Sequence, residues 1–524
     1  MPKSSRLPSS PTLPALASLA LIAAVGASFA LAPPQMKMDG PKNPKPPKPI
    51  KKGDEEKGKD VFRFETFGTE GFWTDAVRMP QGMAAKKVTM LAALKNGVSF
   101  DSEAMSPEMR EAIEKESKTD LSPTNAPMMN DPKLLPKLVK SNVVIGMVVR
   151  NGKTGVTCAL CHAITDKSLF AFGPKGSIGK RIDGPTPHDL EVGKLLAIAG
   201  NSRALYPTLQ LDQGGKAVGR VPKYRLTKFS SEAQVDAYLN DPKAYPVGTF
   251  DDSPDGNGNS IHITPFFRQD LAAPFGSSGQ NDVLDDFNNT VYTALFDQSN
   301  LLSPGGKMFM HALGGAGGDK ITADYAYVLK ATGVKGYPYV TANGGFKPGS
   351  PPAPTGKRVN NELLLALNSY VVALRAPKGH EEDAAAVARG RETFRAQCTS
   401  CHNVDSSKPV DAKLIPLAKL WPDYRPLTLA KRKPPLDPIR NSPGTFDDKM
   451  IVVDASPGGG KRGNALPLLL DLARKPVFLH DDSVKGLEAL LSPARGAKAP
   501  HPYYVKDKSK RSDVMAFLRS LDDK

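Results

Sequence analysis

Two segments share a pattern suited to one kind of chemistry: Cys158-Ala159-Leu160-Cys161-His162 and Cys398-Thr399-Ser400-Cys401-His402. Two thiols with a two-residue spacer match the separation of the vinyl groups of a porphyrin, and the imidazole that follows at once is carried to the iron. The pattern therefore reads as covalent attachment of haem c, with His162 and His402 as proximal ligands. Other uses of cysteine pairs fit less well. A four-cysteine zinc site separates its pairs by about 15–20 residues, whereas these pairs lie hundreds of residues apart, and a redox dithiol needs no histidine directly after it. All four cysteines belong to the motifs, so none is left for a structural disulfide.

The ligand on the far side of each iron sets the function. A closed six-coordinate iron mostly transfers electrons, and an open position activates peroxide or oxygen. Outside the motifs the chain carries His188, His262, His311, His380, His480 and His501, and Met450 is the best-placed methionine after the second motif. A lone histidine is more often a solvated residue than a ligand, so most of these are expected to be bystanders.

The 524-residue chain that must position the motifs is 40% hydrophobic, enough for two domains with sizeable cores. Lys3 and Arg6 precede an Ala/Leu-rich apolar stretch over 13–32, the layout of an export signal. Ala30-Leu31-Ala32 resembles a cleavage site, but Pro33 disfavours cutting there, and the stretch has the ~20 residues of a membrane anchor. Both outcomes place the rest of the chain in the periplasm or otherwise outside the cytoplasm. Lysines alternating with prolines over 37–59 read as a solvated tether.

The expected organisation is a signal or anchor segment with tether over 1–58, an N-terminal haem domain over 59–380 and a C-terminal cytochrome c domain over 381–524. The expected fold is mainly α, with two haem domains and long loops. The aromatic-rich segment 61–73 opens the first domain. Its last helix is expected over 359–375, where Leu363, Leu367, Tyr370 and Leu374 form one apolar stripe. In the second domain a helix over 383–397 runs into the motif and a closing helix spans 509–521, with Gly390 letting the two cross closely.

The run Lys475-Pro476-Val477-Phe478-Leu479-His480-Asp481-Asp482-Ser483-Val484, followed by Leu487-Glu488-Ala489-Leu490-Leu491, resembles the aromatic-x-His-Asp-Gly-Ser-x-x-x-Leu-Glu segment of bacterial dihaem cytochrome c peroxidases and their relatives, which include the dihaem rubber oxygenases. Asp482 stands where that segment has glycine. The segments 62–73, 179–184 and 189–193 are similar to others of this group, while 200–370 matches only in patches. In the peroxidases a methionine between the His-Asp-Gly segment and the closing helix binds the C-terminal haem, and in the oxygenase-like relatives a histidine does. The residue so placed here is His501, so the resemblance implies His402/His501 ligation, with His480 and Met450 as the alternatives. Two histidines would set a lower potential than a histidine and a methionine. For the first haem the resemblance points to His188 as the nearest distal candidate. His262 and His311 stay open beside it, as does an open distal side.

Two weaker patterns remain. The acidic run over 251–259 suggests calcium, but with Asp255 as first position Ser260 and Phe266 occupy the sixth and twelfth, where an EF-hand needs glycine and an acid. A polar turn is the expectation. Gly314, Gly315, Gly317 and Gly318 follow no strand, so they read as room for close packing against a bulky group rather than as a nucleotide loop. The net charge of +16 fits haem propionates and solubility, or an acidic redox partner protein or membrane headgroups. Without a compact basic stripe interleaved with aromatics, nucleic acid is not expected. The leading expectation is an exported cytochrome with two haem c groups (iron) that passes electrons, its C-terminal haem a relay. The alternative is a peroxidase or oxygenase-like enzyme whose first haem activates peroxide or oxygen.

Overall fold

Asp54 starts the first helix, Glu55–Phe64, by accepting a hydrogen bond from the Lys57 N–H at 3.0 Å, and Glu55 and Glu56 complement the helix dipole in its first turn. This helix lies along Asn361–Ala373, and glycine decides how closely. A Cβ on Gly58 would lie 2.0 Å from the Ala366 carbonyl oxygen, so only glycine admits this approach. Val61 and Phe62 are thereby buried with Leu364, Leu367 and Val371. Folded structure thus begins before residue 59: the Asp54 cap and Gly58 outweigh the lysine-rich composition that reads as tether. The expected helix over 359–375 is Asn361–Ala373, capped by Asn360. Its buried stripe runs through Leu364, Leu367, Tyr370 and Val371, while Leu363 and Leu374 pack at its edge.

The computed structural model describes residues 48–212, 214, 220–221, 223–276, 279, 281–398, 402, 414–416, 439–440, 451–452, 463–479, 481–495, 501 and 505–523. The described residues all belong to one compact unit. The expected signal or anchor segment, Cys401, Met450 and His480 lie outside the described residues. The fold is mainly α: helices carry the packing, and the described strands make one three-stranded and six two-stranded sheets. No helix among the described residues is long and apolar enough to cross a membrane.

The glycine cluster joins two helices, Pro304–Gly314 and Ala316–Ala331, with Gly315 at φ 53 between them. A Cβ on Gly318 would lie 2.0 Å from the Met310 carbonyl oxygen, so the crowding is against the preceding helix and not against a bulky group.

Near the C-terminus the helix Ala384–Gln397 crosses Lys508–Ser520. Asp383 caps the first by accepting from the Ala386 N–H, and Asp507 caps the second by accepting from Lys510. They meet at Gly390, where a Cβ would lie 2.0 Å from the Asp513 carbonyl oxygen. Phe394, Val514 and Phe517 bury their side chains at the crossing. Arg389 closes its rim with a bidentate pair to Asp513 at 2.8 and 2.9 Å.

Candidate functional site

The first motif sits on a short turn, Cys158–Leu160, between two small ladders. Upstream, the hairpin Met147–Arg150 with Lys153–Val156 leads into it. Gly146, at φ 82, lies against the motif, and a Cβ there would be 2.1 Å from the Leu160 nitrogen. Downstream, Ala163–Thr165 pairs antiparallel with Arg181–Asp183, placing Ala163 opposite Asp183. The segment 179–184, which carries part of the family resemblance, is therefore a brace for the motif. Asp183 accepts from Arg63 Nε at 2.5 Å and from the Tyr370 hydroxyl at 2.6 Å, tying the brace to the helices Glu55–Phe64 and Asn361–Ala373. The His162 carbonyl accepts from the Gly184 N–H at 2.7 Å, and the Phe266 ring lies 5.0 Å from the imidazole.

Burial sets the protonation of these groups. It pushes His162 down to about 4, with the Thr264 backbone opposing the fall, so the imidazole is neutral at pH 7 and able to ligate. It raises Cys158 to about 11 and Cys161 to about 12. Reactive dithiols instead hold a thiol of lowered pKa, and Cys158 and Cys161 are not joined to each other. Cys158 Sγ lies 3.3 Å from the Tyr292 hydroxyl.

At the second motif Cys398 ends the helix Ala384–Gln397, and the His402 N–H donates to the Cys398 carbonyl at 2.9 Å. The His402 ring stands 6.4 Å from the His501 ring, centroid to centroid, with 43° between their planes. Two imidazoles bound to one metal atom, each through a bond of about 2.0 Å with its ring centre about 1.1 Å behind the nitrogen, have centroids about 6.2 Å apart. The observed spacing fits an iron atom between them. Phe394, one turn before Cys398, lies 6.2 Å from His402 and 5.4 Å from Phe517, forming an apolar wall.

Both motifs open into one cavity of about 750 Å³, within the range of cofactor sites. It is lined by Cys158, Cys161 and His162, by Cys398, His402 and His501, and between them mostly by apolar side chains including Leu295, Leu469 and Leu487. Residues on both sides of position 380 thus share this space. An apolar chamber with paired thiols and imidazoles on its walls fits a flat hydrophobic macrocycle attached through sulfur.

The other histidines separate clearly. His311 is exposed and faces Asp319 at 2.9 Å, and His380 is exposed, so neither reaches the cavity. His188 lines it, stacked on His262 at 5.4 Å and 18°. His262 stands on the strand Ile261–His262, and Asp482 Oδ1 lies 2.8 Å from its Nδ1, both side chains 3% exposed. That approach pairs charges only when the imidazole is protonated, and His262 Nε2 has no hydrogen-bond partner. Burial and the nearby Lys475 ammonium hold His262 well below its ordinary value, and burial does the same to His188. Asp482 has φ 57, a left-handed position that suits glycine and is tolerated by aspartate. The departure from the family's glycine therefore keeps the backbone shape and adds a buried carboxylate.

The sequence signs of these contacts are faint: His262 belongs to no periodic pattern, and Tyr292 and Phe266 stand in no motif. The run 251–259 is also not a solvated turn, because Asp251, Asp255 and Asn257 are buried.

No family model matches the chain, and no curated protein matches it. Among solved structures it is similar to hydrazine synthase of Kuenenia stuttgartiensis pressurized with 20 bar xenon, at 13% identity, over 61% of this chain and 88% of that one, with a TM-score of 0.26. A likeness at that level carries no argument about fold or function.

Proposed function

We propose that this chain is an exported c-type cytochrome that binds two haems, at Cys158/Cys161/His162 and at Cys398/Cys401/His402, and passes electrons between partners outside the cytoplasm. The observation that carries this reading is the His402–His501 pair, 6.4 Å apart on the wall of a cavity that both motifs share. Haem, when bound, supplies reversible one-electron chemistry. The chain's own residues would do the rest. The four thiols would anchor the groups, His402 and His501 would hold the second, and Phe394 and Phe517 would keep water from it. Two imidazole ligands favour electron transfer over substrate binding at the second site. The net charge of +16 suits an acidic redox partner, and the stretch 13–32 would serve as export signal or anchor.

The alternative, an enzyme in which the first haem activates peroxide or oxygen, draws on one specific feature: the His188–His262 stack, with Asp482 beside His262, on the wall of the cavity that His162 lines. An electron carrier has no need of a second pair of buried imidazoles on that wall. Low-temperature electron paramagnetic resonance of the oxidised protein tests the second site. His501→Ala is expected to convert one low-spin signal to high spin. A low-spin spectrum retained in that variant would exclude His501 as the ligand. Peroxide that removes a high-spin signal in the unmodified protein would favour the enzyme, and two low-spin signals that ignore peroxide would favour the carrier.

A further inference from the structure

We propose that Tyr292 donates a hydrogen bond to the sulfur through which Cys158 would hold the first haem, and that this contact raises the reduction potential of that haem. The inference rests on the haem reading above and goes beyond it by assigning a residue outside both motifs. The Tyr292 hydroxyl lies 3.3 Å from Cys158 Sγ. Tyr292 is 1% exposed and Cys158 8%, and both line the cavity together with Cys161 and His162. In the free thiol either atom can be the donor. A sulfur that has added to a vinyl carbon carries no hydrogen and keeps its lone pairs, so the phenol is then the one that donates. Burial holds Tyr292 well above its ordinary range, which keeps the phenol protonated.

Local structure fixes the hydroxyl. Leu284–Thr290 is an α-helix, and Val291–Leu295 continues it as a wider π turn closed by the Phe296 N–H, which donates to the Val291 carbonyl at 2.9 Å. A turn of this kind takes in one residue more than an α turn and is frequent at functional sites. The Tyr292 ring meets Phe67 edge-on at 4.5 Å and 67°, and Phe296 at 5.5 Å and 89°. Among the described residues Cys158 Sγ is the hydroxyl's hydrogen-bond partner. The sulfur is held as well: Cys158 opens the turn Cys158–Leu160, and its carbonyl accepts from the His162 N–H at 3.1 Å. Packing does not call for the hydroxyl. The cluster that buries Tyr292 includes Phe67, Ile145, Ala159, Leu284 and Val340, a setting that phenylalanine would fill without a polar group to satisfy.

The chemistry gives the sign. Hydrogen bonds around a haem tune its potential alongside its axial ligands and its burial. A donor at the thioether sulfur draws electron density from the macrocycle and so favours the reduced iron, which carries one positive charge fewer. Part of the strength of a neutral hydrogen bond differs between the two oxidation states, so the reduction equilibrium is expected to change by about two- to fivefold.

The test is a spectroelectrochemical titration of the full-length chain with its haems, run after intact mass has counted the covalent haems. Tyr292→Phe keeps the ring and removes the donor. It is expected to move one of the two redox transitions to lower potential, by about two- to fivefold in the reduction equilibrium, while the other stays in place as the internal control. Replacing Tyr292 with 3-fluorotyrosine, a more acidic phenol and a stronger donor, should move the same transition to higher potential. A loosened fold would not give shifts of opposite sign. Two haems per chain with both transitions unmoved in both variants would overturn the proposal and leave the haem reading intact. So would shifts of the same sign, or movement of only the transition that His501→Ala displaces. A chain with no haem on Cys158 and Cys161 would overturn the haem reading and the proposal with it.

Discussion

His402 and His501 reach each other because two different local signals place them. The helix Ala384–Gln397 stops at Cys398 and delivers His402, while His501 enters from the segment between Gly486–Leu491 and the closing helix. At the same scale, Asp255 makes a measurable prediction about acidity. Burial raises its carboxyl from an ordinary 3.8 to about 8. A group raised on folding binds more protons in the folded state, so its stabilising contribution is complete below its ordinary value and is lost as pH rises through the raised one. The melting temperature is therefore expected to fall between about pH 5 and pH 8, and Asp255→Asn should flatten that fall. Matching profiles for variant and unmodified protein in a thermal-melt series would contradict the assignment. The two Cys-x-x-Cys-His segments stood out in the sequence because covalent attachment of haem would demand that fixed spacing. Asp251 and Asp255 did not, because an acidic run reads as solvated until its burial is seen. The His262–Asp482 contact joins residues far apart in the chain, which no local pattern records.

At the scale of elements, glycine sets the distances between helices. Gly58 admits the helix Asn361–Ala373 and Gly390 admits Lys508–Ser520, each where a Cβ would fall 2.0 Å from a carbonyl oxygen. Gly390→Ala should force the helices apart at the second motif, costing about 1–3 kcal/mol and lowering the melting temperature by several degrees, on the order of 2–4 °C per kcal/mol. Scanning calorimetry reads the result, and an unchanged transition would mean that the crossing is not close-packed at Gly390. The last helix of the first region and both helices of the C-terminal crossing were legible from apolar periodicity, with bounds within two residues of those observed. The short ladders around Cys158 were not, because strands of two to four residues carry too few alternations to register. The first helix was hidden by its lysines, although Asp54 and the acidic first turn mark its start.

Across the whole molecule, one apolar chamber receives both motifs although hundreds of residues separate them in sequence. Composition indicated enough apolar residues for sizeable cores but not that one space would be shared, since contacts between distant segments leave no periodic trace. The loop 251–260 leads directly into the strand Ile261–His262, which carries the His188–His262 stack at the cavity wall. On the proposed function, the net charge of +16 would make docking to an acidic partner sensitive to salt. All of this depends on two haems being attached through sulfur. Pyridine haemochrome absorbance of the exported, acid-denatured chain, measured together with its intact mass, counts them directly. Two covalently held haems per chain are expected, falling to one fully attached haem when Cys158 and Cys161 are both replaced by alanine. A chain that carries no covalent haem, or whose count is unmoved by that double substitution, would contradict the central claim.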